Sequence, residues 1–391
     1  MPTSNKFPAF TLAAGPTTVS ARVLAAQGSP VSYHYDPVFL DRFRTLGELV
    51  GQVYGTDSDI ILLQGEAVLG LEAAVVNVVR PGMKVINIAN GPYGKGMGYW
   101  LAGHGAKVIE VETGFREVPT PEMIEEIASA HPDAEALAVV HVETPCGTVA
   151  PLKEIGEICR KYGFVSIVDA VASIGGVELR PDEWGLDICV AAPQKCLGGP
   201  SGMSLIAVSQ AGWDLIEKNP DAPRDSFLSI LDWKTKWLEG NKFPYTPSVS
   251  DVNGVIAACE QILEEGVDAA VSRHARTAEV CRAGVLAMGL ELWPLDSATA
   301  ANSVTAVKLP DGLNDAQVRD HIRERYGVMI SGALGAGDLV RIGHMGETAR
   351  SLHPIIGLSA LGQGLRDLGH DVDIGIGIEV AMKALSDSPN P

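Results

Sequence analysis

Lys195 stands in "AAPQKCLGGPSG", surrounded by Ala, Pro, Cys, Leu and Gly. Long charged side chains are rarely buried without a use. Desolvation lowers the pKa of such an amine and makes it nucleophilic, which is what Schiff-base chemistry needs. Asp169 closes the apolar run "FVSIVDA", about one strand–turn–strand unit earlier. Taken alone, an acid at a strand end could equally cap a helix. Taken together, the pair suits an aldehyde carried on a pyridine ring: the lysine meets the carbonyl, and the carboxylate keeps the ring nitrogen protonated so that the ring draws off electrons.

A third group lies in "LLQGEAVLGLEAAVVNVV", residues 62–79. An apolar run, a short loop and a helical pattern follow one another. In α/β enzymes the head of such a helix is where backbone N–H groups and the helix dipole hold a phosphate. The loop here is Gly65, Glu66, Ala67, Val68, with a carboxylate and no hydroxyl. At ~4 Å and an effective dielectric near 20, each pair of like unit charges costs about 4 kcal/mol. The loop is therefore expected to take a neutral hydroxyl donor on Glu66. The competing expectation is that Glu66 turns outward and caps the helix.

The surrounding pattern supplies a frame for these groups. Apolar runs at 84–89, 107–112, 136–143, 164–170, 187–195 and 203–209 alternate with helical stretches, which predicts a largely parallel sheet covered on both faces. Sites in such sheets lie beyond the carboxyl ends of the strands. Residues 211–260 contain an irregular stretch rich in aromatics and Pro, which reads as a functional loop or an interface segment. From about 253 one long helical stretch leads into a smaller α+β part. The expected division is 1–255 for a large domain and 256–391 for a small one.

The chain has 391 residues, 46% hydrophobic and 20% charged, which allows a substantial core. A formal net charge of −18 disfavours nucleic acid and anionic membrane as partners. Six scattered cysteines without C-x-x-C spacing read as reduced thiols. No metal site is expected. The N-terminus lacks a leader pattern and no window suits a membrane span, so a cytoplasmic protein is expected.

"AAGPTTVSARVL", "GLEAAVVNVVRPGMKVINIANGPYGKG", "VETPCGTVAPLKEIGEICRKYGFVSIVDAVASIGG", "AAPQKCLGGPSG" and "LVRIGHMG" together resemble the class V aminotransferases of the fold-type I pyridoxal-phosphate superfamily, over nearly the whole chain. That resemblance implies Lys195 as the Schiff-base lysine, Asp169 as the partner of the ring nitrogen and Tyr93 as the aromatic stacked on the ring. It further implies Thr144 and Ser173 as ligands of ring substituents and Arg341 as the grip on a substrate carboxylate. A narrower resemblance, carried by "YHYDPVF", "LQGEAVLGLEAA", "YGKGMGYW", "SFLSILDW" and "FPYTPSVSDVNG", is to the transaminases acting between free pyridoxamine and pyruvate. It implies amino transfer giving pyridoxal and L-alanine in vitamin B6 degradation, with Glu66 on the vitamer's hydroxymethyl group and Tyr33 near the ring.

No tightly bound cofactor is then expected: pyridoxal or pyridoxamine binds as substrate. The alternative is a pyridoxal-phosphate enzyme of the alanine- or serine-glyoxylate type. Where the narrower group has a second arginine shortly before the last one, this chain has Ala333 and Leu334, which leaves the 2-oxo acid open. The partners expected are the B6 vitamer, a small 2-oxo acid and further copies of the chain in a homodimer or homotetramer, with Tyr245 and Thr246 reaching across.

Overall fold

The computed structural model describes residues 7–387; residues 1–6, on which the expectation about a leader falls, and 388–391 lie outside the described residues. In chain order the strands are β1 (Phe10–Leu12), β2 (Asp59–Gln64), β3 (Lys84–Ala89), β4 (Lys107–Glu112), β5 (Ala136–Val140), β6 (Val142–Glu143), β7 (Thr148–Val149), β8 (Val165–Asp169), β9 (Ile188–Ala191), β10 (Met203–Val208), β11 (Val304–Lys308), β12 (Val328–Gly332) and β13 (Leu339–Gly343). Seven of them form one sheet in the order β2-β10-β9-β8-β5-β3-β4. Only β10 runs against the others. The strands β5, β8, β9 and β10 are buried at every position. Alternate residues point to opposite faces, so both faces are covered, and this accounts for continuous Val/Ile/Ala runs rather than alternation.

A second sheet has the order β1-β12-β13-β11. β1 joins it from the N-terminal end of the chain by pairing parallel to β12. Two large apolar clusters correspond to the two sheets, one built on residues 23–270 and one on Leu12 with residues 280–381. We propose the two-part division on these cores, with the strand Phe10–Leu12 serving the C-terminal part.

Two expectations change in detail. The long helical stretch is two helices, Val249–Glu265 and Val267–Ala287, broken at Gly266, whose φ of +91° and ψ of 131° interrupt the helical turn. The aromatic-rich segment is not a free loop. Trp237 stacks on Phe243 at 4.5 Å between ring centroids and meets Phe43 of the helix Pro37–Tyr54 edge-on at 4.8 Å. Trp233, Trp237 and Phe243 are buried in this way within their own chain. Large aromatic faces gain more from such contacts than from water.

The turn between β2 and the helix Ala67–Val78 depends on a residue from another strand. Ser204 of β10 is buried; its hydroxyl accepts from Gly70 N–H at 3.1 Å and lies 3.0 Å from the carbonyl oxygens of both Gly65 and Glu66. Ser204→Ala should therefore destabilise the fold by about 1–3 kcal/mol, because buried polar groups lose their partner. Urea unfolding measures it; an unchanged midpoint would show that water replaces the hydroxyl.

Candidate active site

Asp169 is the last residue of β8, at the carboxyl end of the central sheet. The strand places it there, and a local bond orients it: Oδ1 accepts from Val171 N–H at 2.9 Å. Burial pushes its pKa up to about 6; the Val171 N–H and the charge of Lys195 pull the other way. Lys195 lies in the turn four residues beyond the end of β9, rather than on the strand itself. Its Nζ donates to the carbonyl of Ala14 at 2.7 Å. Burial depresses the pKa of this amine, Arg341 adds to the effect, and Asp169 opposes it. The N-terminal segment comes close enough for this bond because position 15 is glycine. Gly15 has a φ of +89°, and a Cβ there would lie 2.3 Å from Lys195 Cδ.

Lys195 and Asp169 line one cavity of about 230 Å³ together with Glu66, Tyr93 and Thr144. Met97, Trp100 and Leu71 supply much of its apolar wall. A larger open groove, about 640 Å³, runs beside Phe43 and Trp237 on the far side of β2, without a lysine or a buried acid. Five of the sequence-predicted residues thus converge in one place.

Glu66 does two things that the sequence sets against one another. It caps the helix Ala67–Val78, with Oε2 accepting from Val68 N–H at 3.0 Å. It also stays on the cavity wall, where Gln194 Nε2 donates to Oε1 at 2.8 Å. A carboxylate of the chain itself thus occupies an N–H at the head of this helix, where the dipole favours negative charge.

The remaining predicted residues are placed differently. Thr144 is buried and its hydroxyl has no hydrogen-bond partner among the described residues. Ser173 is fully buried, but its hydroxyl donates to the carbonyl of Ala170 at 3.1 Å and does not line the cavity. Arg341 sits mid-strand in β13, 7% exposed, close enough to depress the amine of Lys195. Its Nε donates to Gly332 O at 2.6 Å. Tyr33 is 67% exposed and Thr246 is exposed; neither lines the cavity of its own chain. Tyr245 stacks on Phe227 at 4.3 Å and accepts from Trp233 Nε1. Ala333 N–H is tied to Asp315 Oδ2 at 3.2 Å, while Leu334 is exposed at a φ of +49°.

Glu143 was not singled out by the sequence, although it precedes Thr144 directly. It is fully buried, and burial raises its carboxyl to about 7. The signal for it was an acid inside an apolar run, "ALAVVHVE". His141, in the same run, is held neutral by burial, with a pKa of about 3.

The class-V aminotransferase profile matches residues 22–350. The chain belongs to the class-V aminotransferase family. It is 40% identical, over 97% of each chain, to the pyridoxamine–pyruvate transaminase of Mesorhizobium japonicum. The fold is similar to the crystal structure of pyridoxamine–pyruvate aminotransferase from Mesorhizobium loti, with a TM-score of 0.95, covering 98% of this chain and 99% of that one. It is 30% identical to (S)-ureidoglycine–glyoxylate transaminase of Bacillus subtilis, over 94% of this chain and 93% of that protein. The architecture is the fold-type I aminotransferase fold, and the class of activity is that of a transaminase.

The family membership overturns one expectation. Class-V aminotransferases depend on pyridoxal phosphate as a bound cofactor, so the expectation of no tightly bound cofactor does not stand. It arose from weighing one loop residue, Glu66, against the whole constellation. The cavity suits the pyridoxal ring: it carries an amine, a buried carboxylate, an aromatic side chain and, in Thr144, a buried hydroxyl without a partner.

The raised carboxyl of Asp169 has a consequence for the protein without ligand. An acid whose folded pKa lies near 6 holds its proton between about pH 4 and 6 while the unfolded chain has lost it, so stability falls as pH rises through that window. Asp169→Asn, which keeps an acceptor for Val171 N–H, should raise the melting temperature at pH 8. The gain should vanish at pH 4. Equal gains at both pH values would mean that burial of charge is not the cause.

Proposed function

We propose that the protein transfers the amino group of pyridoxamine to pyruvate, giving pyridoxal and L-alanine. The observation that supports this most is the joint lining of one apolar cavity by Lys195, Asp169 and Glu66. The bound pyridoxal group supplies the carbon that carries the amino group and a ring that takes up the electron pair. The chain's own residues do the rest.

Lys195 Nζ carries the proton between the vitamer carbon and the amino-acid carbon. That role needs a neutral amine, and both burial and the charge of Arg341 favour one. Asp169 would hold the ring nitrogen. A cation there would offset the burial that now holds its carboxyl up, so the carboxylate is kept ionised when the ring is bound. Tyr93 would pack against the ring, and the free hydroxyl of Thr144 would be available to a ring substituent. Ser173 supports the same end through the turn at Ala170. Glu66 accepts from the hydroxymethyl group of the vitamer. Arg341, with Nε spent on Gly332, grips the 2-oxo acid carboxylate with its two remaining nitrogens.

The finer organisation belongs to the same proposal. Tyr33 and Thr246 are exposed and lie away from their own cavity, which supports a homodimer or homotetramer in which they complete the site of another copy. A place in vitamin B6 degradation and in the cytoplasm follows from the proposed substrates and from six unpaired, buried cysteines. Among the described residues no helix is long and apolar enough to cross a membrane. Transamination of the alanine–glyoxylate type is a second reading; the chain is 30% identical to an alanine–glyoxylate aminotransferase of Drosophila melanogaster.

A screen of pyridoxamine against pyruvate and glyoxylate, with alanine and pyridoxal measured, tests the reading. Formation of both products in equal amounts supports it. Failure with pyridoxamine, alongside alanine–glyoxylate exchange, supports the second reading instead. Lys195→Ala should lower turnover by several orders of magnitude; near-wild-type turnover would sink the assignment. Arg341→Ala should weaken pyruvate and alanine by about 2–5 kcal/mol, as loss of a buried charge-assisted pair does, and leave pyridoxamine nearly unaffected. An equal loss for pyridoxamine would make Arg341 structural.

A further inference from the structure

Glu143, on β6, has no part in the roles above, yet it is a fully buried carboxylate beside the cavity. Its two oxygens are both engaged: Oε1 accepts from Tyr93 N–H and Oε2 from Gly94 N–H, each at 2.9 Å. These are two of the first N–H groups of the helix Pro92–Gly103, whose N-cap residue, Gly91, has no side chain to offer and whose first residue is a proline. The clamp fills the space in front of the helix. Gly91 has a φ of −176°, which any residue could adopt, so the glycine is there for room: a Cβ would lie 2.0 Å from Glu143 Cγ. The same helix turn carries the Tyr93 side chain into the cavity.

We propose that Glu143 is a positioning residue that fixes the helix turn bearing Tyr93, and thereby the aromatic wall against which the pyridine ring packs. The ring's place rests on the function proposed above; the clamp does not. A buried carboxylate held by two N–H groups at the positive end of a helix is stabilised by the helix dipole as well as by the bonds. Arg341 attracts its charge and Asp169 repels it, while Cys146 and the Tyr93 hydroxyl are the other titratable groups nearby. Because burial holds the carboxyl near 7, the clamp should loosen as pH falls through neutrality and the acceptor becomes uncharged.

Amide hydrogen exchange on the ligand-free protein reads the clamp directly. In Glu143→Gln one backbone N–H loses its acceptor, and in Gly91→Ala the carboxylate is pushed away while remaining charged. Glu143→Gln should speed exchange at one of Tyr93 and Gly94, and Gly91→Ala at both, by about tenfold or more, matching the loss of one charge-assisted bond, with β3 amides unchanged. Unchanged exchange in both variants would overturn the proposal, and either variant decides it if the other does not fold. A second arm tests the action through Tyr93. Glu143→Gln should weaken pyridoxal about tenfold, and should cause no further loss in a Tyr93→Ala background. Additive losses would overturn the positioning role. Absence of pyridoxal binding by the unaltered protein would count against the proposed function alone, and the exchange result would then stand by itself.

Discussion

Taking an ionised carboxylate or ammonium out of water costs on the order of several kcal/mol even after relaxation. The carboxyl end of the central sheet imposes this cost on Asp169, Glu143 and Lys195, with Arg341 brought in from the second sheet. Their charges are close enough to bias one another. Arg341 and burial push the lysine toward its neutral form, whereas Asp169 pulls it back. Burial raises both carboxyls. A cluster in this state is expensive for a folded protein without ligand. It is also prepared, because a cationic ring nitrogen or a substrate carboxylate would relieve charges that the fold leaves partly uncompensated.

The fold exists to maintain that arrangement. Buried strands set the depth of the acid, and a turn past β9 sets the lysine. The N-terminal segment adds the carbonyl of Ala14 to Nζ from a chain distance of about 180 residues. The pairing of β1 with β12 carries this segment onto the second sheet, where Ala14 N–H donates to Ser331 Oγ at 2.9 Å, so the lysine's partner and Arg341 are both tied to that sheet. The salt bridges of Glu265 with Arg273 at 2.6 Å and Arg350 at 2.7 Å lie across the break at Gly266, and Arg273 Nη1 also donates to Gly346 O beyond β13. This network links the last helix of the first core to the segment that follows Arg341.

The strands around the site were legible because parallel, doubly covered strands read as unbroken apolar runs. The run at 84–89 matches β3 and the run at 107–112 matches β4. The run at 136–143 was too long. The pairing with β8 ends at His141, whose N–H still donates to Asp169 O at 3.0 Å, and the chain goes on into the short β6–β7 pair, a change that hydrophobicity cannot register. Lys195, Asp169, Tyr93, Thr144 and Glu66 were identified and meet in one cavity. Glu143 was missed because its value depends on a glycine fifty-two positions earlier in the chain, and on two N–H groups that only the folded helix leaves free. In the aromatic stretch the irregular sequence hides a buried stack, since aromatic packing needs no period.

Glu66 shows how a local argument can be sound and still incomplete. Like-charge repulsion between a carboxylate and a phosphate is real, and so is the attraction of a helix start for an acid. The structure satisfies the second without removing the residue from the cavity, because capping at Val68 N–H uses one oxygen and Gln194 turns the other toward the wall. Capping and a second contact are therefore compatible, one to each oxygen. A serine in this place would accept from the helix with its oxygen and offer the cavity a donor instead of an acceptor. A glutamate caps the helix with one oxygen and leaves the other on the cavity wall, where Gln194 donates to it.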